Sequence, residues 1–497
     1  MEAVNEKFEI AAPDPSALIE AFRGLGYSLS TAIADLIDNS ITAKARTIEI
    51  TFHWAGKDSH ICILDDGHAM SEKVLFEAMR PGSKSPLDTR ASHDLGRFGL
   101  GLKTASFSQC RELCVASKAK CSSLSSYTWN LDYVCKHKEW RLLKSHTSSS
   151  KVYLDLLSNR LSGTAVVWSA LDRVVGDTSS QDTAAHSRFN DAIDHVRQHL
   201  ALTFHRFLED RSLKISLNSQ EVVPWNPFME RHDATYCSPE QEIPIGRSSV
   251  KFKGFVLPHK DKMSKQEWED NGGPRGWTGH QGFYVYRNKR LLLQGDWLRL
   301  GRPNPWTREE QYKLARIRLD INNDTDGEWH LDVKKSTAKP PAIIRDTLTD
   351  LAARIRSEAR KVYVHRGQYG PRPGSAVQLE RPWVSRLRSG NRVYSINREN
   401  PLVAGVIQLC ETAKSDVETL LRYLEETVPV QQIWLDTAEQ VQDQAVPYEG
   451  VDYAVLRADM RRIFDMLVSS GANPETTRQR IRAMEPFNRY PDLIKEL

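Results

Sequence analysis

The glycine-rich stretch LGRFGLGLKTAS, residues 95–106, constrains the fold more than any other feature, because a loop of this composition can wrap phosphate groups. A P-loop has the form G-x-x-x-x-G-K-[ST], and its lysine directly follows the second glycine so that the ammonium reaches the phosphates. Gly96 and Gly101 have that spacing here, but Leu102 stands before Lys103. The stretch is therefore an altered P-loop, a chance glycine cluster or another kind of phosphate-binding loop.

Composition narrows the class of protein. A chain of 497 residues is long enough for about three domains, and its formal net charge is only +4. We expect no membrane span, because no run approaches the roughly 18 apolar residues that a span requires. The N-terminus, MEAVNEKFEI, lacks the apolar stretch of a secretory signal. Seven cysteines at scattered spacings indicate reduced thiols, so we expect a cytoplasmic protein.

One group of residues raises the alternative of a zinc site. Cys110, Cys114, Cys121, Cys135 and His137 lie close together in the sequence, but no C-x-x-C pair occurs among them. The surrounding stretches, RELCVASK and YTWNLDYVC, are expected to be strands, in which cysteine usually packs as a small apolar residue. Packing is therefore the preferred interpretation of these cysteines.

The apolar pattern predicts a mixed α/β fold. Residues 15–46 have apolar side chains at helical spacing, and TIEITF and HICIL have the pattern of neighbouring strands. The loop RPGSKSPLDTRASHD then leads to the glycine-rich stretch. We expect a first domain over residues 1–190, a second α/β domain over 191–345, and a basic linker with a mainly helical domain over 346–497.

Three separated features carry chemistry. Asp35 and Asn39 lie four residues apart in ADLIDNS and share one helical face, where a carboxylate can polarise water and an amide oxygen can bind Mg²⁺. Asp65 ends a predicted strand in LDDG, and its carboxylate can accept a hydrogen bond from the exocyclic amine of adenine. The third feature is the glycine-rich stretch, whose backbone N–H groups can surround phosphates. Singly, each is typical of a solvated helix face, a turn or a flexible segment.

Together, in this order and spacing, the three features resemble the GHKL ATPases, which include gyrase B subunits, heat-shock chaperones, histidine kinases, MutL and the microrchidia proteins. The resemblance covers about residues 17–170 and includes Gly163–Thr164, which matches the family's late strand motif beside the adenine. It implies a Bergerat-type ATP-binding domain, an α+β sandwich in which the nucleotide lies across an antiparallel sheet. The glycine-rich stretch would then be the family's lid and phosphate loop.

The resemblance also implies roles for individual residues. Asn39 would bind Mg²⁺, Asp65 would bind the adenine amine, and Gly67 would allow the nucleotide to approach closely. Met70 and Thr164 would lie beside the base. The phosphates of ATP would be held, mostly through backbone groups, by Gly96, Phe98, Gly99, Leu100, Gly101 and Lys103.

Two positions depart from the family's pattern. The general base is usually Glu, four residues before the Asn, whereas this chain has Asp35. Its side chain reaches about one C–C bond less far, so we expect slow hydrolysis, since the geometry of a base matters before its pKa. The adenine motif normally continues D-x-G-x-G, and Ala69 replaces the last glycine. One added methyl group alters the fit of the base pocket without abolishing it.

The resemblance favours one branch of the family. Histidine kinases have an amide at the position of Asp35, and a carboxylate there argues for hydrolysis. The stretches HLALTFHRFLED, LKISLNSQEVVPWNPF and FYVYRNKRLLL resemble the transducer domain of MutL, gyrase and microrchidia proteins, in which a lysine reaches the γ-phosphate. In WHLDVKKSTAKPP that lysine would be Lys335 or Lys334. The alternative is a solvated lysine pair in a polar turn.

The C-terminal third matches no enzyme motif. Its basic stretch over residues 381–398 contains Trp383 and Tyr394, a mixture that suits phosphate contacts and base stacking, and equally suits a solvated linker.

The resemblance therefore implies an ATP- and Mg²⁺-dependent ATPase of the prokaryotic MutL/microrchidia type, a homodimer in the presence of ATP that clamps DNA. Chains of this kind resemble components of bacterial anti-phage or restriction-type systems, which would supply protein partners. Two other functions stay open. One is a chaperone-like ATPase that clamps protein clients, and the other is an ATP-binding scaffold that does not hydrolyse ATP, since Asp35 replaces Glu.

Overall fold

Residues Met1–Gly367 and Gln368–Leu497 form two separate units. The structure is a computed structural model, and it describes residues 13–82, 101–246, 248–322, 328–329, 339–364, 382–388, 391–430, 433, 451–469, 471–484, 487 and 490–497. Among these described residues, no helix is both long and apolar enough to cross a lipid bilayer.

The first unit contains a seven-stranded sheet with the order β4-β3-β5-β2-β1-β6-β7. Neighbouring strands are antiparallel except for the parallel pair β1–β6. The strands are β1 (Thr47–His53), β2 (His60–Asp65), β3 (Glu112–Lys118), β4 (Ser125–Asn130), β5 (Gly163–Ser169), β6 (Lys214–Leu217) and β7 (Gln220–Glu221). Because β6 follows residue 190, this sheet extends past the predicted first boundary.

Eight helices accompany this sheet in the described chain. They are α1 (Pro15–Arg23), α2 (Leu29–Thr42), α3 (Glu72–Met79), α4 (Gly101–Phe107), α5 (Leu131–His137), α6 (Ser148–Ser158), α7 (Thr183–Thr203) and α8 (His205–Glu209). The main core lies between α2, α7 and the sheet face that carries Ile48 and Ile50. Helix α6 covers part of the opposite face, where Cys62 and Cys114 are buried. The sheet is therefore one layer of an α+β sandwich.

Helix α2 begins and ends at defined signals. Ser28 forms a capping box with Thr31, which satisfies backbone N–H groups that the first turn leaves unpaired. The glycine-containing segment before it, with Gly26 at a φ of 69°, separates α1 from α2. The predicted helical region 15–46 is thus two helices. From residue 32 to residue 40, α2 is buried at every position except Asn39.

A second sheet in the same unit has the order β12-β11-β13-β10-β8, with β9 paired to β10. Its strands are β8 (Tyr236–Cys237), β9 (Gln241–Ile245), β10 (Ser248–Val256), β11 (Gly282–Arg287), β12 (Arg290–Asp296) and β13 (Ala315–Ile321). Its helices are α9 (Lys265–Gly272), α10 (Gly276–Gly279) and α11 (Ala342–Val364).

Helix α11 completes the core of this second sheet. Its residues Ile344, Leu348 and Ile355 pack against β10 and β13. Gly254 allows this close approach, because a Cβ atom there would lie 2.2 Å from the Cδ1 atom of Ile355. The second core therefore extends beyond residue 345. Helix α7 packs against both α2 and β12, which links the two sheets.

The second unit has a hairpin of β14 (Trp383–Arg388) and β15 (Asn391–Ile396). Its helices are α12 (Pro401–Leu409), α13 (Lys414–Glu426), α14 (Tyr453–Ser469), α15 (Pro474–Ala483) and α16 (Pro491–Ile494). A small core forms around Met460, Phe464 and Ile481. The mixed α/β fold class is confirmed.

Candidate active site

The end of strand β2 places Asp65 in a buried position that is 6% exposed. One carboxylate oxygen, Oδ2, accepts a 2.8 Å hydrogen bond from the Ser40 hydroxyl. The other, Oδ1, accepts a 3.0 Å hydrogen bond from the backbone N–H of Gly67. Burial raises the pKa of Asp65, while these two hydrogen bonds act in the opposite direction. The carboxylate is therefore oriented by two donors, and each oxygen keeps further capacity to accept.

The two aspartates of LDDG have different surroundings. The Asp66 carboxylate accepts hydrogen bonds from the backbone N–H groups of Arg46 and Thr47, at 2.7 and 2.9 Å. Asp66 is exposed and binds backbone N–H groups at the start of β1, whereas the side chain of Asp65 is buried in the candidate site. The alternation of side chains along an extended chain accounts for this difference.

Two neighbouring strands complete the surroundings of Asp65. Thr164 of β5 is the register partner of Asp65, and Ser117 of β3 is the register partner of Thr164. The hydroxyls of Ser117 and Thr164 lie 3.0 Å apart, and the Ser117 hydroxyl accepts a 2.9 Å hydrogen bond from the backbone N–H of Met70. The structure thus brings together Asp65, Met70 and Thr164, and their role in binding the base stays a prediction.

Two glycines are required by close approaches around Asp65. A Cβ atom on Gly67 would lie 2.9 Å from the Ala43 carbonyl oxygen and 3.2 Å from Oδ1 of Asp65. A Cβ atom on Gly163, whose φ is +152°, would lie 2.2 Å from the Asp65 carbonyl oxygen. Larger residues at either position would displace the backbone that holds the carboxylate.

Helix α2 presents Asp35 and Asn39 four residues apart. Asp35 is buried, and its Oδ2 atom accepts a 3.0 Å hydrogen bond from the Tyr27 hydroxyl. Asn39 is exposed, and no hydrogen bond joins its side-chain amide to a residue that the structure describes. Gly101 lies close to Asp35, the candidate general base, since a Cβ atom on Gly101 would be 3.8 Å from Oδ2 of Asp35. The end of the glycine-rich stretch therefore adjoins Asp35.

Lys103 has a protein partner. Its side chain is buried, and the ammonium donates a 2.8 Å hydrogen bond to the Ala78 carbonyl near the end of α3. The role of Lys103 toward phosphate stays a prediction. The other predicted phosphate and γ-phosphate residues lie outside the described part of the chain: Gly96, Phe98, Gly99, Leu100, Lys334 and Lys335.

Two residues near Asp35 are missed by the sequence analysis, Tyr27 and Arg290. The Arg290 guanidinium of β12 donates from Nε to both carboxylate oxygens of Asp38, at 3.2 Å each. Its Nη2 atom lies 3.9 Å from Oδ1 of Asp35. No sequence signal could have found this contact, because 252 residues separate Arg290 from Asp38.

The donor atoms suit ATP with Mg²⁺. Mg²⁺ prefers oxygen ligands and is usually held by one or two protein groups together with substrate phosphates, so the exposed Asn39 amide fits that role. The described residues contain no group of three or more His, Cys, Asp and Glu side chains that could hold a metal ion. Burial raises the thiol pKa of Cys110 and Cys114, which therefore stay protonated and pack as apolar residues.

Comparison with known proteins gives a matching family. Residues 27–164 match the family of histidine kinase-, DNA gyrase B-, and HSP90-like ATPases. Over 88 residues, the chain is 33% identical to the ATPase morc-1 of Caenorhabditis elegans, and this covers 18% of the chain and 10% of that relative. The predicted resemblance to GHKL and microrchidia ATPases is confirmed. The chain spans only a tenth of the length of this relative.

A solved structure of the ATPase and transducer domains of DNA topoisomerase II from Balamuthia mandrillaris is also similar to the chain. The similarity covers 68% of this chain and 85% of that one, with 13% sequence identity and a TM-score of 0.37.

Proposed function

We propose that this chain, whose residues 27–164 match the histidine kinase-, DNA gyrase B- and HSP90-like ATPase family, binds and hydrolyses ATP as a molecular switch. The observation that carries the proposal is the buried Asp65 carboxylate, oriented by Ser40 and Gly67 beside Thr164. An anionic acceptor held in this way selects a donor such as the exocyclic amine of adenine, which guanine lacks at that edge.

Hydrolysis is assigned to Asp35. Its carboxylate is buried near Gly101, where the phosphate end of a nucleotide across the site would lie. Asp35 would accept a proton from the attacking water while the Tyr27 hydroxyl, 3.0 Å away, holds the carboxylate in place. Asn39, on the exposed side of α2, would hold Mg²⁺, which when bound neutralises charge on the phosphates.

We extend this function to a switch that is controlled by the bound nucleotide. ATP would bring Lys335 or Lys334 to the γ-phosphate and close the N-terminal domains of two chains together. Hydrolysis would remove the contacted group and reopen the dimer. The first and second sheets would then act as the ATP-binding and transducer-like domains of one clamp.

DNA is the proposed occupant of the clamp. Between residues 354 and 398, eleven lysines and arginines stand against two acids. Trp383 and Tyr394 are 42% and 44% exposed. Ser385 lies two residues after Trp383 on the same strand face, and it pairs with Tyr394 of the other strand. Both aromatic rings therefore lie on one face of the hairpin, an arrangement suited to base stacking within a basic segment. We extend the proposal to a bacterial anti-phage or restriction-type system with protein partners.

Two measurements test this function. The first is the rate of phosphate release from ATP with and without DNA, and the second is sedimentation with a non-hydrolysable ATP analogue. We expect DNA to stimulate hydrolysis and the analogue to produce a dimer. Stimulation by protein clients in place of DNA would support a chaperone-like ATPase, and tight ATP binding without phosphate release would support a scaffold.

A further inference from the structure

The guanidinium of Arg290, on strand β12 of the second sheet, contacts the helix that carries Asp35. The hairpin between β11 and β12 turns at Asn288 and Lys289, whose φ angles are 49° and 70°. Positive φ at both central residues is the geometry of a tight two-residue hairpin turn. Arg290 is the first residue after that turn, so the hairpin fixes the position at which its guanidinium enters the first sheet's core region.

Each nitrogen of this guanidinium faces a different residue, and two of the three are at hydrogen-bond distance from their partners. Nε donates to the Asp38 carboxylate at 3.2 Å, and Nη1 donates to the Leu291 carbonyl at 2.7 Å. Nη2 forms the 3.9 Å ion pair with Asp35. Arg290 is buried, and Asp38 is only 1% exposed, so these charges interact with little screening by water.

The planar guanidinium fits this arrangement better than any other cation. Its donors point in fixed directions, so one group can contact two carboxylates one turn apart on α2 and a carbonyl of its own strand. An ammonium is a point charge on a flexible stem and cannot hold all three acceptors in the same geometry. The orientation of Asp35 therefore depends on where the second sheet places Arg290.

We propose that Arg290 is a positioning residue for ATP hydrolysis, which holds Asp35 in its hydrolytic position through Asp38 and the start of β12. This inference rests on the proposed ATPase function. It adds a link from the second sheet to the helix that carries Asp35, distinct from the predicted lysine contact with the γ-phosphate, because Arg290 acts on the carboxylates of α2. Displacement of β12 relative to α2 would misplace the base and slow hydrolysis while ATP stays bound.

The test uses the full chain and three substitutions on one hairpin. Arg290→Gln removes the positive charge, and Arg290→Lys keeps the charge but lacks the planar set of donors. Lys289→Gln is the matched control. Lys289 precedes Arg290 and forms an exposed ion pair with Asp210. Phosphate release gives kcat and KM, a fluorescent ATP analogue gives the dissociation constant, and thermal unfolding reports the folded state of each variant.

We expect Arg290→Gln to lower kcat by about 10-fold to 100-fold, because a small misplacement of a catalytic group has effects of that size. ATP affinity should stay within about threefold, and Arg290→Lys should have an intermediate kcat. Lys289→Gln should behave as the wild type does. A general structural defect would instead lower ATP affinity and the unfolding temperature together with kcat.

A double-mutant cycle with Asp38→Asn tests the route through Asp38. If Arg290 acts through this residue, the double variant should lose no more activity than the worse single variant. Additive losses in kcat, or a wild-type kcat in a folded Arg290→Gln or Arg290→Lys variant, would overturn the inference. If the wild type itself released no phosphate, the proposed ATPase function would fail first. If the wild type hydrolysed ATP and the Arg290 variants had the same kcat, only the positioning role of Arg290 would be refuted.

Discussion

The Ser40 hydroxyl of α2 donates a 2.8 Å hydrogen bond to Oδ2 of Asp65 at the end of β2. This contact joins the helix that carries Asp35 and Asn39 to the strand that carries the candidate adenine acceptor. Because both partners are buried, the hydrogen bond is protected from competition with water. The hydrogen bond therefore fixes the position of α2 relative to the end of β2, and so holds the two parts of the candidate site together.

Replacement of Asp65 by Asn should weaken ATP binding. The variant keeps only one side-chain oxygen and gains an amide donor, which cannot pair with the backbone N–H of Gly67 or with the adenine amine. Loss of a hydrogen bond to a charged acceptor predicts a decrease of roughly 1.5–3 kcal/mol in binding free energy. Calorimetry with ATP measures this.

Asp66→Asn is the matched control for that experiment. Asp66 is the next residue, but its carboxylate pairs with backbone N–H groups at the start of β1 and lies outside the base pocket. We expect the Asp66 variant to bind ATP as the wild type does. Unchanged affinity in a folded Asp65 variant would remove this residue from the site.

Part of the site could be predicted because it follows local rules. Helical spacing places Asp35 and Asn39 on one face, and strand alternation ends β2 at Asp65. The pairing of Asp65 with Thr164 depends on sheet register, and the sequence indicates only, through the family resemblance, that Thr164 lies beside the base.

The contacts of Tyr27, Ser117 and Arg290 could not be predicted. Ser117 meets Thr164 across strands that are 47 residues apart, and Arg290 meets Asp38 across two sheets. Such contacts are set by tertiary packing, which leaves no period or spacing in the sequence. Local signals can also be overridden, as in YTWNLDYVC, where the Asn130 cap starts a helix at Leu131 within a predicted strand.

Asp35→Asn should stop hydrolysis while ATP stays bound. The amide has nearly the same size and can still accept from the Tyr27 hydroxyl, but it cannot take a proton from water. We expect a loss of about 10²–10⁴-fold in kcat, the usual contribution of a general base. Phosphate release and ATP affinity are measured together, and a wild-type rate would refute the assignment.

Asn39→Ala provides the contrasting case. Removal of the proposed Mg²⁺ ligand should weaken binding of ATP in the presence of magnesium, since the ion that bridges the phosphates loses a protein group. The Asn39 side chain is exposed, so the fold should tolerate the change. If the variant bound magnesium and ATP normally, Asn39 would have no part in the site.

The buried imidazole of His280 should make the free energy of unfolding depend on pH. Its Nδ1 atom lies 3.1 Å from the Tyr284 hydroxyl and its Nε2 atom accepts from the backbone N–H of Arg275, so both ring nitrogens are satisfied in the neutral form. Burial, with Arg316 and other cations nearby, lowers the pKa of His280 to about 3. The ordinary value is 6.5, so the folded state binds fewer protons than the unfolded state below that pH.

The stabilisation by neutral His280 should therefore be complete above pH 6.5 and decline as the pH falls toward about 3. At pH 4 the loss should be about 3 kcal/mol. Thermal unfolding across this range should show a shallower decline for His280→Gln, which does not titrate. The same substitution at the exposed His195 is the control, and equal slopes for wild type and His280→Gln would contradict the prediction.

The lysine pair Lys334 and Lys335 distinguishes a switch from a passive nucleotide-binding protein. If one of them touches the γ-phosphate, its contact exists with ATP and is lost with ADP. A flexible ammonium can make this contact as a point charge, without bidentate geometry. The contact would then couple hydrolysis to the arrangement of the two sheets. The pair lies outside the described residues, so the assignment stays a prediction.

Substitution of both lysines by alanine should cut hydrolysis strongly while ADP affinity stays unchanged, because ADP lacks the contacted group. ATP-dependent dimerisation, followed by sedimentation, should also be lost, and single variants identify the lysine responsible, for which we favour Lys335. Lys339→Ala, an exposed lysine four residues later, is the matched control. Normal hydrolysis and normal dimerisation in the double variant would show that the pair is solvated. The proposed clamp would then lose its link between the γ-phosphate and the second sheet, although ATP binding at Asp65 would be unaffected.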